Sequence, residues 1–222
     1  MKICVAQTNP VKGDIQKNID NHKRLIDLAV SNGAGIIIFP ELSLTGYEPG
    51  LAKELATNTE DTRLDDFQQI SNNKQVTIGV GIPVQTGTGI CITMVLFQPG
   101  KTRLTYSKKY LHTDEESFFV SGQSSIDLIG NNIALAICYE LSVPEHAENA
   151  FKNGAKIYIA SAVKSVKGID KAIKRLAEIA SKYSMTVLLS NCVGQCDGEG
   201  CAGKSSIWNN NGLLLAQLND TS

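Results

Sequence analysis

Charge of one sign is nearly absent from this chain as an excess. Twenty-one Lys and Arg residues face 22 Asp and Glu, for a formal net charge of −1 over 222 residues. No basic stripe interleaved with aromatics occurs, which excludes the electrostatic footprint of a nucleic-acid-binding surface. No apolar run approaches the ~18–20 residues of a membrane span. The opening Met1-Lys2-Ile3-Cys4-Val5 reads as a strand and not as a signal peptide, which needs a longer apolar stretch. Low-complexity linkers and exact internal repeats are missing too. The expectation is one domain, residues 1–222, located in the cytoplasm, with enough chain to bury a sizeable core. Histidine is scarce, with only His22, His112 and His146 present, so few imidazoles are on offer for acid–base work.

Six cysteines are present: Cys4, Cys91, Cys138, Cys192, Cys196 and Cys201. Four lie in or beside apolar strand-like runs, where a free thiol behaves as a small hydrophobe. In a reducing compartment all should stay unpaired. Cys192, Cys196 and Cys201 are close together, but their gaps fit no standard zinc pair and no histidine is nearby. The spacing therefore predicts no metal site.

Strand-like and helix-like segments alternate along the chain. Lys2 to Gln7 reads as a strand. Asp14 caps a helix carrying Ile15, Ile19, Leu25, Ile26 and Ala29, which ends at Gly33. Gly35 to Phe39 is a continuously apolar strand of the kind buried on both faces. Asp61 to Asn72 reads as a helix and Val76 to Pro83 as a strand. Gly89 to Gln98 and Lys101 to Tyr106 flank Pro99-Gly100 as a hairpin. Ile133 to Cys138 is a strand, and Pro144 opens a helix that Gly154 ends. Lys156 to Ala160, Ile169 to Tyr183 and Met185 to Val193 read as strand, helix and strand. Ser205 to Trp208 and Leu213 to Gln217 flank the turn Asn210-Asn211-Gly212. The rhythm implies an α/β domain with a mixed sheet core and helices outside.

Three reactive side chains each follow an apolar run. Cys138 ends Ile133-Ala134-Leu135-Ala136-Ile137, at the carboxyl end of a buried strand, where α/β folds collect ligands. Glu41 follows Ile36 to Phe39; partial burial there would raise its pKa toward the range useful to a general base. Lys108 and Lys109 follow a strand, and in an extended segment one of the two faces inward; spacing alone does not say which. Taken singly, the cysteine reads as structural, the lysine as solvated and the glutamate equally as a loop acid. Together they supply a nucleophile, a cation and a base, the minimum set for acyl transfer at sulfur. His146, early in the helix after Cys138, is a rival base, while His22 sits in the first helix, away from the strand ends.

Phe39-Pro40-Glu41-Leu42-Ser43-Leu44-Thr45-Gly46-Tyr47, Lys109-Tyr110-Leu111 and Ile137-Cys138-Tyr139-Glu140-Leu141-Ser142-Val143-Pro144-Glu145 resemble, in order, the three motifs of the nitrilase superfamily, or carbon–nitrogen hydrolases. The likeness continues through Asn153-Gly154-Ala155 and Ser190-Asn191-Cys192-Val193-Gly194 to the closing hairpin. It implies an α-β-β-α sandwich, assembled as a homodimer or larger homo-oligomer, and a triad of Glu41, Lys109 and Cys138. A second glutamate is implied within Asp114 to Gly122, where the family spacing selects Glu115, with Glu116 as its neighbour.

The implied chemistry is hydrolysis of a small amide or carbamoyl amine through a Cys138 thioester. The oxyanion would be held by Lys109 and the backbone N–H of Tyr139. Tyr47, Ser142 and Ala162 are expected to shape the substrate pocket. Many members carry an arginine where this chain has Ser142, which weakens any reading toward dicarboxylic half-amides. Relatives also usually continue beyond Gln217-Leu218 with another strand and tail. No metal or organic cofactor is expected, and no nucleic-acid or membrane partner. Acyl transfer to an amine, nitrile hydrolysis and a non-catalytic binding module on the same scaffold are the alternatives.

Overall fold

Apolar runs become strands buried on both faces, and the polar-faced segments between them become the covering helices. The computed structural model describes residues 1–58, 60–123, 129–130 and 132–221. Among these, five strands form a first sheet: β1 (Lys2–Val5), β2 (Ala34–Ile38), β3 (Thr77–Gln85), β4 (Ile90–Phe97) and β5 (Leu104–Ser107), adjacent in that order. β1, β2 and β3 run parallel, whereas β3-β4-β5 is an antiparallel meander. The second sheet contains β6 (Ile133–Ile137), β7 (Ile157–Ser161) and β8 (Thr186–Ser190) in parallel, then an antiparallel edge. Between β8 and that edge, β9 (Val193–Cys196) and β10 (Glu199–Ala202) form a separate two-stranded hairpin. The edge is β11 (Ser206–Trp208) and β12 (Leu214–Gln217), joined through the predicted turn at Gly212.

Alternation along β2 shows how the layers form. Ile36 and Ile38 enter an apolar core shared with Leu135, Tyr158 and Ile159 of the second sheet. Ile37 and Phe39 enter the core beneath helices α1 (Ile15–Ser31) and α3 (Asp65–Lys74), with a short α2 (Ala52–Leu55) between them in sequence. Helices α4 (Pro144–Lys152) and α5 (Ile169–Tyr183) cover the second sheet through Ala147, Ala150, Leu176 and Ile179. The result is the expected α-β-β-α sandwich. No helix among the described residues is long and apolar enough to cross a membrane.

Two serines close the seam between the sheets at the carboxyl ends of their strands. Ser190 Oγ donates to the carbonyls of Ala6 (2.7 Å) and Ile38 (3.0 Å), and Ser161 Oγ donates to that of Phe39 (2.8 Å). Ile38 O, which also accepts from Ala6 N–H at 2.9 Å, is thereby doubly bonded, and every bond of this set adds a donor to a buried backbone carbonyl.

Several element boundaries shifted by one to four residues, and two of the shifts have a visible cause. The predicted helix from Asp61 starts later, because Asp61 caps a 3₁₀ turn by accepting from Arg63 N–H before α3 begins. The predicted strand to Val193 stops at Ser190. Beyond it, Asn191 bonds sideways, accepting from Lys164 N–H at 2.8 Å and donating to Gly203 O at 2.7 Å.

Candidate active site

Glu41 sits in the turn after β2, and β3 is shaped to admit that turn. A Cβ on Gly81 would lie 2.4 Å from Leu42 N and 2.6 Å from Pro40 O, so only glycine allows the backbones to meet there. Leu42 itself takes a left-handed φ of 48°, a strained conformation of the kind found at functional sites. From below, His22 stacks on Phe39 at 3.9 Å and pairs with Ser43 Oγ at 2.9 Å. His22 is therefore a brace under the Glu41 turn, closer to the strand ends than its place in the first helix suggested. Burial pushes its pKa down to about 3, which keeps the ring neutral at physiological pH.

The inward-facing lysine is Lys108, and Lys109 is the outward one. In β5, Tyr106 enters the core between the sheets, so Lys108, two residues on, shares its face. Lys108 is wholly buried, and its Nζ donates to Glu41 Oε1 and Glu115 Oε1, both at 2.7 Å. Lys109 is exposed, with its ammonium over the Tyr110 ring at 5.5 Å. Glu115 completes the arrangement. Its Oε1 also accepts from Tyr47 OH at 2.9 Å, and its Oε2 accepts from His112 N–H at 2.8 Å. Glu116 is exposed. A close approach holds the lysine strand from the far side, since Gly122 N–H donates to Lys108 O at 2.7 Å.

Cys138 stands where β6 gives way to a 3₁₀ turn over Cys138–Ser142, with a left-handed φ of 45°. Its Sγ reaches Val163 O at 3.5 Å. Burial, reinforced by the charge of Glu41, raises the thiol pKa, with Lys164 and Lys108 opposing. The resting group is consequently a thiol that needs a base to ionise it. Burial also raises Glu41, an effect that Lys108 counters and Glu115 assists. One oxygen of Glu41 is tied to Lys108, while Oε2 is buried without a hydrogen-bond partner. Burial would lower the Lys108 ammonium, but the carboxylates of Glu41 and Glu115 outweigh it and keep it charged.

A cavity of about 500 Å³ opens onto this group, lined in part by Cys138, Tyr139, Glu115, Tyr47, Val163 and Lys164. Lys108 lies one hydrogen bond behind its wall, through Glu115, and Glu41 one further, through Lys108. The structure thus brings together Glu41, Glu115, Cys138, Tyr47 and Tyr139 of the predicted residues, and substitutes Lys108 for Lys109. Ser142 is exposed, and Ala162 is buried with its N–H bonded to Ser190 O; neither lines the cavity. Their neighbours Val163 and Lys164 do so instead. His146 is not a candidate base. It is enclosed by Tyr106 OH at 2.8 Å and Tyr158 OH at 2.9 Å, away from the cavity lining.

Glu140 has a role that the sequence did not disclose. It is fully buried, and its Oε1 accepts from Lys109 N–H (2.7 Å) and Tyr110 N–H (3.3 Å). Its Oε2 accepts from Ile137 N–H (2.8 Å) and Tyr106 OH (2.7 Å). One carboxylate therefore fixes the lysine segment against the cysteine turn. A charged residue three positions past a buried strand and two past the candidate cysteine is the signal that could have revealed it.

An α-β-β-α sandwich that gathers a carboxylate, an ammonium and a thiol at the edge of its seam defines the carbon–nitrogen hydrolase class. The family model for "Carbon-nitrogen hydrolase" matches residues 2–222, and the chain belongs to that family. Among curated relatives, a nitrilase of Pyrococcus abyssi is 25% identical, covering 100% of this chain and 86% of its own. A glutamine-dependent NAD(+) synthetase of Thermotoga maritima is 25% identical over 89% of this chain. The chain spans only 36% of that synthetase's length, and 41% and 27% of two further synthetases. An amidase from Nesterenkonia sp. has the same fold, with a TM-score of 0.88 at 22% identity, over 100% of this chain and 87% of that one.

Proposed function

We propose that the protein hydrolyses the C–N bond of small amides through a thioester on Cys138. The observation that carries this reading is Glu41: one oxygen is held by the Lys108 ammonium, and the other is buried and unpartnered, within electrostatic reach of a thiol too basic to ionise alone. That oxygen takes the Cys138 proton as sulfur bonds to the carbonyl carbon. Negative charge develops on the carbonyl oxygen, stabilised by Lys108 and the N–H of Tyr139; such a donor is worth ~3–4 kcal/mol. As the C–N bond breaks, Glu41 passes its proton to the leaving amine. Glu41 then deprotonates water, which attacks the thioester; the S–C bond breaks and the thiol is re-formed. Glu115 holds Lys108 from the opposite side, and Tyr47 holds Glu115.

Small aliphatic amides are the favoured substrates. The related Nesterenkonia amidase has a structure in complex with butyramide and another with the acetamide moiety of fluoroacetamide added at its active site cysteine. A second reading is a glutamine amide, since three relatives are glutamine-dependent. The cavity lining pairs Lys164 with Asp114, Asp197 and Glu199, charges suited to a zwitterion's carboxylate and ammonium.

Ammonia release from acetamide, butyramide, glutamine and a matched nitrile, with intact-mass spectrometry of acid-quenched samples, tests the reading. An acyl adduct on the parent chain, absent from Cys138→Ala, is expected. Turnover by Cys138→Ala at the parental rate would sink it.

A further inference from the structure

The three cysteines with no standard metal spacing converge in space. Asp197-Gly198 turns the chain between β9 and β10 with both residues at positive φ, 48° and 76°. This turn folds Cys201 back over Gly194, while Cys196 ends β9 and Cys192 lies at the exit from β8. The sulfurs of Cys192, Cys196 and Cys201 all lie within 4.8 Å of one another, with Cys192 and Cys196 3.7 Å apart. Four-coordinate zinc with Zn–S bonds of about 2.3 Å places its sulfurs about 3.8 Å apart. The closest pair already has that separation, and the third needs a shift of about 1 Å, within reach of a side-chain rotation.

The surroundings fit a thiolate centre. All three thiols are buried, and Cys192 is wholly so. Val163 and the Tyr47 ring supply an apolar wall. On the remaining side, Cys196 and Cys201 line the same cavity as Cys138. Three sulfurs on one side and open space on the other leave room for a single further ligand.

We propose that Cys192, Cys196 and Cys201 form a three-thiolate site for a thiophilic d10 cation, Zn²⁺ or Cu⁺, whose fourth position faces the cavity that holds Cys138. Thiolate sets of this composition select such soft or borderline cations. Binding converts three thiols to metal thiolates and releases three protons to solvent. The site differs from the reaction centre, because none of its ligands belongs to the Glu41, Lys108, Cys138 group.

Reduced full-length protein titrated anaerobically with Co²⁺ tests this, with Zn²⁺ as the competitor. One Co²⁺ per chain is expected, with sulfur-to-cobalt charge-transfer absorption that one equivalent of Zn²⁺ removes. Cys138→Ala should retain the band, whereas Cys196→Ser and Cys201→Ser should lose it while keeping the parental circular-dichroism spectrum. Zinc-edge X-ray absorption of the unaltered chain needs no variant and should return three sulfur neighbours. The proposal is overturned if Co²⁺ does not bind, if the band survives Cys201→Ser or disappears in Cys138→Ala, or if fewer than three sulfurs surround zinc. A reduced chain that forms only a Cys192–Cys196 disulfide on mild oxidation and takes up no metal would overturn it equally.

Discussion

Exchanging Lys108 and Lys109 in turn for methionine separates the inward ammonium from the outward one. Methionine keeps most of the lysine stem and removes the charge. Lys108 makes two contacts of 2.7 Å to buried carboxylates; at an effective dielectric near 20 each corresponds to a gross attraction of about 6 kcal/mol. Desolvation offsets much of this, and loss of one partner from a buried pair typically costs ~3–5 kcal/mol. In a chain of this size that lowers Tm by roughly 6–20 °C. Removing the proposed oxyanion donor should also reduce kcat/KM by ~10²–10³.

The stability loss should itself depend on pH. Burial already raises Glu41, and Lys108 is what opposes it. Without Lys108 the folded chain holds that proton more tightly than the unfolded chain. The penalty is then largest at neutral pH and shrinks as acid protonates Glu41. Lys109→Met loses a ring contact worth about 0.5–1 kcal/mol at an exposed site, so Tm should move by less than about 4 °C with amide turnover kept. Differential scanning calorimetry and ammonia release measure both variants. An inactive Lys109→Met beside a fully active, equally stable Lys108→Met would refute the assignment.

Other outcomes follow from the same geometry. As the proposed base Glu41 must be ionised, and burial raises its pKa, so kcat/KM should fall with acid through a limb above the ordinary carboxylate range; a pH profile with its limb near 4 would contradict that role. Glu140→Gln places an amide NH₂ or a weaker acceptor against four donors, so stability should drop by about 1–3 kcal/mol in urea titration. Activity should fall further than this loss explains, and an active, unaltered variant would show that Glu140 positions nothing. Gly81→Ala drives a methyl into the Pro40–Leu42 backbone; a displacement near 1 Å at Glu41 should lower kcat by ~10² with a smaller change in KM, read from steady-state kinetics.

Most of the sandwich could be read from the apolar runs, because Ile36 to Phe39 and Ile133 to Ile137 are buried on both faces and leave little ambiguity. Glu41, Cys138 and Glu115 were legible for the same reason: each lies beside such a run in a familiar phrase. The lysine was not, because Lys108 and Lys109 are chemically alike and only the direction of Tyr106 settles which one enters. Had the inward aromatic at Tyr106 been taken as the reference, alternation would have selected Lys108. Ser142 and Ala162 failed as pocket residues because a 3₁₀ turn and the Asn191 crossing rotate them away and present Val163 and Lys164 instead. The spatial convergence of Cys192, Cys196 and Cys201 could not be judged from their spacing, although Asp197-Gly198 is a strong hairpin signal that folds two of the three together.

The seam closed by Ser161 and Ser190 has a consequence for how the molecule fails. Glu41 and Lys108 hang from the first sheet and Cys138 from the second. The reactive group therefore belongs to neither half of the chain; it exists only as a relation between two slabs. Slippage of one slab over the other by a fraction of a residue would leave every helix and strand intact and every side chain present, yet separate the base from the sulfur. Chemistry in this architecture reports docking between layers, so turnover should be lost under stress before secondary structure is.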